Sequence, residues 1–160
     1  RALIAQLAPG GVMKIALYSE LARRHITEVR EWIADQNIAP GEQSIRELRR
    51  EILDLPDDDA KRNALGFTDF YSVSGARDLL FHVEEHTFSF PEIKAAILEL
   101  DLELVGLQVT DGELKERYLA RFPNDQAMTD LDNWHAFEND NPDSFSQMYF
   151  FWCRKAAPGG

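Results

Sequence analysis

The chain contains 160 residues, of which 44% are apolar and 28% are charged, the balance of an ordinary globular domain that can bury a core. Acidic residues outnumber basic ones by 28 to 17, so the formal charge of −11 disfavours nucleic acid and anionic membranes as partners. No apolar run approaches the roughly 20 residues of a membrane span, and the single cysteine, Cys153, cannot form an internal disulfide, which indicates a reducing, cytoplasmic location.

The first predicted elements are the end of a helix and a strand. Residues 2–8 have the composition of a helix end, and Pro9-Gly10-Gly11 stops that helix. Val12–Ser19 is apolar almost throughout, which predicts a strand buried on both faces, of the kind found in parallel sheets. Because the chain opens in mid-helix at Arg1, we expect it to be part of a longer protein.

The segment from residue 20 to residue 101 is predicted to be mostly helical. Apolar residues recur at helical spacing from Glu20 to about Gln36, and further helices are expected before Pro56, after Ser74 and from Pro91 onward. The region between residues 67 and 74 is a loop rich in polar and aromatic residues.

Two more strands are predicted near the end of the chain. They are Leu102–Val109 and Met148–Arg154, with helices near residues 111–121 and 129–138 between them. Met148–Arg154 is aromatic and apolar throughout, which is typical of a central strand with both faces buried. We therefore assign Trp152 and Cys153 to the core.

These elements together predict an α/β fold with a sheet of three strands. Residues 1–19 and 102–155 supply the sheet, residues 20–101 form a helical insertion, and residues 156–160 form a tail.

Several segments resemble class I S-adenosylmethionine-dependent methyltransferases, in which a Leu-x-Pro-Gly-Gly turn leads into the fifth strand. The matching run is Leu7-Ala-Pro-Gly-Gly-Val-Met-Lys-Ile-Ala-Leu-Tyr-Ser19. Leu17–Arg23, Asp69–Ser72 and Arg77–His82 are similar to the C-terminal part of those methyltransferases that are often fused behind tetratricopeptide repeats. The resemblance extends from about residue 2 to Lys155 and implies the end of a Rossmann-like sheet.

The resemblance also implies an order for the strands. In this family the closing strand lies between the fifth and sixth and runs antiparallel to both. The expected order is therefore Val12–Ser19, then Met148–Arg154, then Leu102–Val109. Val12–Ser19 is expected to be outermost, because its usual neighbour belongs to a part of the family sheet that precedes this chain.

The family binds S-adenosylmethionine through a glycine-rich turn after the first strand and an acidic residue after the second. The glycine-rich turn is not present here, because the glycines are scattered or precede a strand. The half of the family fold that carries both motifs is therefore missing from this sequence. The cofactor is therefore expected to bind to the parent protein only, no cofactor-binding residue can be assigned, and the isolated chain is expected to be inactive.

Candidate substrate-binding residues follow the first strand and lie in the aromatic loop. Ligands of open α/β sheets bind beyond the carboxyl ends of the strands, where Tyr18, Ser19 and Arg23 are expected. Loops positioned by a rigid scaffold often carry binding residues. The loop candidates and the start of the next helix are Asp69, Tyr71, Ser72 and Arg77.

Three polar residues on the following helix are candidates for proton transfer. Asp78, His82 and Glu85 are spaced i, i+4 and i+7, which would place them on one helix face. We predict that His82 is a general base, that Asp78 orients it, and that Glu85 contacts the substrate. The run from His82 to His86 also matches the H-x-x-E-H zinc signature, but no third ligand can be identified and we assign no metal.

The methyl acceptor is predicted to be a protein or a small molecule. The alternative is a non-catalytic interaction or regulatory module that uses the helical insertion as a docking surface. Val12–Ser19 lacks the charges and prolines that protect an edge strand, so a missing N-terminal half or a partner chain is expected to pair there. A strand and a glycine-rich turn roughly 80–100 residues before Arg1 would favour the enzyme.

Overall fold

The computed structural model describes residues 2–82 and 85–156. Two compact units are formed, the first from Arg1–Ala22 and Thr87–Gly160 and the second from Arg23–His86. The elements in chain order are α1 (Ala2–Gln6), β1 (Val12–Ser19), α2 (Glu20–Asp35), α3 (Glu42–Asp54), the 3-10 helices Ala60–Gly66 and Thr68–Tyr71, α4 (Val73–Phe81), β2 (Thr87–Phe88), α5 (Phe90–Glu99), β3 (Leu102–Leu107), α6 (Gly112–Arg121), α7 (Leu131–Asp140) and β4 (Met148–Lys155).

The first unit contains a mixed sheet, which confirms the predicted α/β class. Within the described residues the sheet has four strands in the order β2-β1-β4-β3. The prediction that β4 lies between β1 and β3 and runs antiparallel to both is confirmed. In register, Ile15 faces Phe151 and Leu17 faces Tyr149, and the β3–β4 pairing shifts by one residue between Leu104 and Gly106.

The prediction that Val12–Ser19 is the outermost strand is wrong. The short strand β2 lies outside it and pairs in parallel through Tyr18–Thr87 and Ser19–Phe88. This pairing involves only the carboxyl end of β1. Among the described residues, Val12–Leu17 pairs with β4 alone.

The prediction that β1 and β4 are buried on both faces is also wrong. One face of the sheet carries Val12, Val105, Phe150 and Trp152, which are 50%, 49%, 37% and 41% exposed. The ammonium group of Lys14 lies over the Phe150 and Trp152 rings, 5.1 Å and 5.8 Å from their centroids. Trp152 is therefore not a core residue. We call the face formed by these five residues the open sheet face.

The opposite face of the sheet carries the core of the first unit. Tyr149, Phe151 and Cys153 alternate with the exposed residues of β4 and are at most 2% exposed. Cys153 is a core residue, as predicted, and burial raises the pKa of its thiol to about 11. Burial thus favours the neutral thiol near neutral pH, and a neutral thiol is a poor nucleophile.

Helices α5, α6 and α7 supply the other half of this core. Trp134 of α7 is fully buried, with its ring 4.0 Å from that of Tyr118 and 6.2 Å from that of Phe90, centroid to centroid. Helix α5 starts at a capping box in which Ser89 and Glu92 bond each other's backbone. The predicted helix from Pro91 onward is present and begins one residue earlier, at Phe90. These helices fix the carboxyl end of α7 beside β4.

The second unit is helical and has a separate core. Ile26, Val29 and Ile33 of α2 are at most 4% exposed, which confirms the predicted apolar stripe. They cluster with Leu48 of α3 and Leu80 of α4. None of the helices described is long and apolar enough to span a membrane.

Candidate functional site

The carboxyl end of β1 holds two of the predicted site residues in the first unit. Tyr18 is half-buried and Ser19 is fully buried. The Ser19 hydroxyl accepts a hydrogen bond from the Ala22 backbone N–H at 3.1 Å, so it caps the start of α2. The Ser19 side chain is thus held in place by its role as a helix cap, independently of any ligand.

Ser19 also belongs to a buried polar cluster with Glu138 and Tyr149. Its hydroxyl oxygen lies 2.9 Å from Glu138 Oε1 and 3.0 Å from the Tyr149 hydroxyl. The Tyr149 hydroxyl lies 2.8 Å from Oε1 and 2.6 Å from Oε2 of Glu138. All three residues are at most 1% exposed, and the hydrogen bonds described for the carboxyl group all come from hydroxyls.

This cluster contains a carboxyl group whose pKa is raised. Burial raises the pKa of Glu138, and the hydrogen bonds from Tyr149 and Ser19 lower it by less, so the pKa lies above its usual range. Burial and the neighbouring carboxyl group also raise the pKa of Tyr149. Groups with such shifts are concentrated at functional sites, although structural networks show them as well.

A polar cleft of about 400 Å³ opens at the same end of the sheet. It begins where β3 ends and β4 starts, and the Gln108 backbone N–H donates to the Phe150 carbonyl at its base. The lining offers amide, hydroxyl and carboxyl groups from Gln108, Thr110, Asp111, Asp143, Ser144 and Ser146. Such a lining suits a small hydroxylated or amine-bearing ligand.

In the second unit, the predicted residues Arg23 and Glu85 meet each other. The Arg23 guanidinium donates from Nε to Oε1 at 2.7 Å and from Nη2 to Oε2 at 2.6 Å. Arg30 adds a third bond to Oε2 at 2.9 Å. Arg23 is 2% exposed, so this pair ties the segment after α4 to α2.

The two arginines determine the protonation of Glu85. Burial raises the pKa of the carboxyl group, but the hydrogen bonds and charges of Arg23 and Arg30 outweigh burial and bring the pKa below its ordinary value. Glu85 is therefore a carboxylate at neutral pH whose hydrogen-bonding capacity is directed to α2.

The loop residues make local bonds. The Tyr71 hydroxyl donates to the Leu65 carbonyl at 2.9 Å, and the Ser72 hydroxyl accepts from the Gly75 N–H at 2.9 Å as the N-cap of α4. Asp69 lies in the 3-10 helix before it and is exposed. Tyr71 is 58% exposed, so its ring is available on the surface of this unit.

The prediction that Asp78, His82 and Glu85 share one helix face is wrong. Helix α4 ends at Phe81, and His82 has an extended backbone with φ −68° and ψ 124°. Arg30 donates from Nε and Nη2 to the Leu79 carbonyl, which satisfies the end of the helix, while it also binds Glu85 beyond that end. The tertiary contact with α2 thus stops the helix where the sequence pattern continues it.

Arg77 and Asp78 are exposed on α4, and His82 is exposed just after it. Among the described residues, Asp78 and His82 form no hydrogen bond or ion pair with each other. The helical spacing required by the zinc signature is lost as well, and Val83 and Glu84 of that motif lie outside the described residues. No group of three potential metal ligands is found in the part of the chain that the structure describes.

Sequence reasoning missed Glu138 and Tyr149. A signal was present, because Glu138 follows Leu131, Trp134 and Phe137 on the apolar stripe of α7, where a carboxyl group is unusual. Tyr149 was included only as part of an aromatic strand. Their partner Ser19 lies 119 and 130 residues away in the sequence, so no local pattern could connect them.

The role of Glu85 leads to a pH-dependent prediction. A carboxyl group with a lowered pKa in the folded state adds stability above its unfolded pKa, and that stability is lost as the pH falls. We expect Glu85→Gln to reduce the free energy of unfolding at pH 7 by about 1–3 kcal/mol, since a buried charged acceptor is lost. The difference in the free energy of unfolding between wild type and variant should become smaller when the pH is below about 4.3, the pKa of an unfolded glutamate.

The measurement is urea denaturation of wild type, Glu85→Gln and the exposed control Glu51→Gln from pH 3 to pH 8. Glu51 lies on the exposed side of α3, so its variant should match wild type throughout. A Glu85→Gln deficit that does not change with pH would contradict the assignment of Glu85 as an ionised partner of Arg23 and Arg30.

Comparisons with known proteins identify no family. No family model matches the sequence, and no curated protein matches it significantly.

Proposed function

We propose that this chain is the substrate-side, C-terminal portion of an S-adenosylmethionine-dependent methyltransferase whose cofactor-binding half is supplied by other sequence. The observation that carries the proposal is the order β1-β4-β3 with β4 antiparallel to both neighbours. This arrangement was expected from the resemblance to the last three strands of class I methyltransferases. It requires the chain to return from β3 and insert its final strand in the middle of the sheet.

The edge of β1 supports the same proposal, with one correction. Strand β2 pairs only with Tyr18 and Ser19, so Val12–Leu17 has no second partner strand among the described residues. This stretch carries one charge, Lys14, and no proline, and such edges pair readily with another strand. The missing half, or a partner chain, is proposed to add a strand there.

The candidate residues of the first unit lie at the end of β1, and the candidate base His82 belongs to the second unit. Tyr18 and Ser19 stand at the carboxyl end of β1, where open α/β sheets bind ligands. His82 is proposed to take a proton from the acceptor, and its exposed position leaves it accessible. The sulfonium methyl of the cofactor would need no activation, so positioning of the acceptor is the main task of these residues.

The net charge of the chain restricts the class of methyl acceptor. The chain carries a formal charge of −11, which disfavours nucleic acid, and a protein or a small metabolite is proposed instead. Asp69, Tyr71, Ser72 and Arg77 are proposed to contact it from the surface of the second unit. Arg23 and Glu85 hold each other, so their proposed contribution is to fix the segment that carries His82.

A non-catalytic interaction module is the second candidate. The observation that favours it is the open sheet face, where the Lys14 ammonium group lies over the partly exposed rings of Phe150 and Trp152. Exposed apolar patches of this kind often mark contact surfaces. In the methyltransferase proposal the missing half covers this face, and in the module proposal a separate protein does so.

A calorimetric titration with S-adenosylmethionine distinguishes these candidates. We expect no binding to the isolated chain, because it has no glycine-rich turn after a strand and no ribose-binding carboxylate to follow it. The product of the same gene extended upstream of Arg1 should bind the cofactor. Micromolar binding to the isolated chain would show that the site is misplaced, and no binding to the extended product would favour the interaction module.

A further inference from the structure

The buried cluster at the carboxyl end of β1 contains four oxygen-to-oxygen contacts. Three of them form a closed ring, and the fourth joins the Tyr149 hydroxyl to Glu138 Oε1 at 2.8 Å inside that ring. Glu138 Oε2 lies 2.6 Å from the Tyr149 hydroxyl, that hydroxyl lies 3.0 Å from Ser19 Oγ, and Ser19 Oγ lies 2.9 Å from Glu138 Oε1. Each of these distances is a hydrogen-bond distance, and each bond requires one hydrogen. The ring therefore requires three hydrogens.

The two hydroxyl groups supply only two of them. A serine and a tyrosine hydroxyl each carry one hydrogen, whereas an ionised carboxylate carries none. With an ionised Glu138, Tyr149 would donate to the carboxylate oxygens and Ser19 would donate to Oε1, so the 3.0 Å contact between the two hydroxyl oxygens would have no hydrogen. The Ala22 N–H occupies a lone pair of Ser19 Oγ and lies outside the ring, so it cannot fill the gap.

We propose that Glu138 is a neutral carboxylic acid in the folded protein at neutral pH, and that its proton closes the ring with Tyr149 and Ser19. The carboxyl group donates from Oε2 to Tyr149, Tyr149 donates to Ser19, and Ser19 donates to Oε1. Each of the three ring contacts then has one hydrogen, with Oε2, Tyr149 and Ser19 as donors and Oε1 as an acceptor only. This inference does not depend on the proposed methyltransferase function.

The surroundings of Glu138 agree with a neutral acid. The residue is 1% exposed, and no described lysine or arginine forms a salt bridge with it. Burial is the largest influence on its pKa and raises it, and the charge of Glu20 at the start of α2 acts in the same direction. His135, one turn earlier on α7, acts in the opposite direction.

The other charged groups of the neighbouring helices are directed elsewhere. Lys94 of α5 pairs with Asp132, and Arg121 of α6 pairs with Asp140. Arg117 of α6 donates to Asn141. An ionised Glu138 would thus be a buried charge without a cation, an arrangement that proteins avoid by shifting the pKa of the group.

The ring joins four elements through one proton. Glu138 belongs to the last turns of α7, Tyr149 to β4 and Ser19 to the end of β1, and Ser19 caps α2 through Ala22. Removal of the proton places a charge in the core and breaks one bond of the ring. The protein should therefore lose stability as the pH rises, with the weakening centred on the β1–α2 junction.

Glu138→Gln is a close mimic of the neutral acid. The glutamine amide can donate from Nε2 to Tyr149 and accept from Ser19 at Oε1, so the ring stays closed at every pH. An acid whose folded pKa is raised contributes stability below the unfolded pKa of about 4.3 and loses it as the pH rises through the folded pKa. The sign is opposite to that expected for Glu85.

The experiment is urea denaturation of wild type, Glu138→Gln and the exposed α6 control Glu116→Gln between pH 3 and pH 9. The folding equilibrium constant of Glu138→Gln, divided by that of wild type, should rise with pH by up to about tenfold per pH unit until Glu138 ionises in the folded protein. The control ratio should stay constant. A Glu138→Gln variant whose deficit against wild type grows with pH would show that Glu138 is ionised and would overturn the proposal.

A second measurement needs no variant and applies if Glu138→Gln fails to fold. Carbon NMR of wild type labelled with ¹³C at the glutamate side-chain carboxyl should show one resonance at the position of a neutral acid at pH 7. That resonance should move to the ionised position at a pH well above those of the exposed glutamates. If every glutamate carboxyl resonance has the ionised position at pH 7, the ring has no third hydrogen and the proposal is wrong.

Discussion

Replacement of Trp134 by alanine is expected to lower the free energy of unfolding by about 3–5 kcal/mol, the range for loss of a large aromatic side chain from a packed core. The side chain is fully buried, and its ring packs against those of Phe90 in α5, Tyr118 in α6 and Phe137 in α7. Its indole N–H donates to the Met128 carbonyl at 2.9 Å, so the variant also leaves a carbonyl without its donor.

Trp152→Ala is the matched control, because it removes the same side chain from the same unit. Trp152 is 41% exposed on the open sheet face. Its replacement should therefore lower the free energy of unfolding by much less than replacement of Trp134 does. Both variants are compared with wild type by urea denaturation followed by far-ultraviolet circular dichroism. An equal loss of stability in the two variants would contradict the assignment of the two faces of the sheet.

The strands of the sheet could be predicted from sequence because their apolar runs are long. The bounds of Val12–Ser19 are the same in the structure, and those of the other two long strands differ by one or two residues. Strand β2 could not be predicted, since Thr87–Phe88 is too short to carry a pattern and exists only by pairing with β1. A strand of two residues forms only where a neighbouring strand is present to pair with it.

The open sheet face shows a different limit of sequence reasoning. Val12, Phe150 and Trp152 are apolar, and an apolar residue in a strand predicts burial whether or not anything covers it. Within the first unit, helices α5, α6 and α7 pack on one face of this sheet, and the residues of the other face are partly exposed. The apolar pattern of a strand thus shows that a face of the sheet can be buried. Whether another element covers that face depends on residues far away in the sequence.

Long-range contacts also explain the errors at the candidate site. Helix α4 ends where Arg30 binds the Leu79 carbonyl and Glu85, and these partners are 49 and 55 residues from Arg30. The ring of Ser19, Tyr149 and Glu138 is likewise assembled from distant segments. The candidate positions at Tyr18 and Ser19 could be predicted because strand ends are visible in sequence, whereas partners across the fold are not.

His82→Ala is expected to have the largest effect on activity. The variant is made in a longer gene product that would include the proposed cofactor-binding half. One general base contributes roughly 10²–10⁴-fold to turnover, so the variant should be slower by that factor. His82 is exposed and lies outside α4, and the substitution should leave the free energy of unfolding nearly unchanged. His25→Ala is the matched control, since His25 contacts Asn63 and is not a predicted site residue.

The most direct test of the proposed function measures transfer of the labelled methyl group of S-adenosylmethionine. The longer product is incubated with the protein fraction and, separately, with the small-molecule fraction of a cell extract. We expect the label to appear in an acceptor of one fraction. The rate of transfer should fall by roughly 10²–10⁴-fold in His82→Ala and should stay unchanged in His25→Ala. Absence of transfer to both fractions would contradict the methyltransferase proposal, and undiminished transfer by His82→Ala would remove His82 from the mechanism.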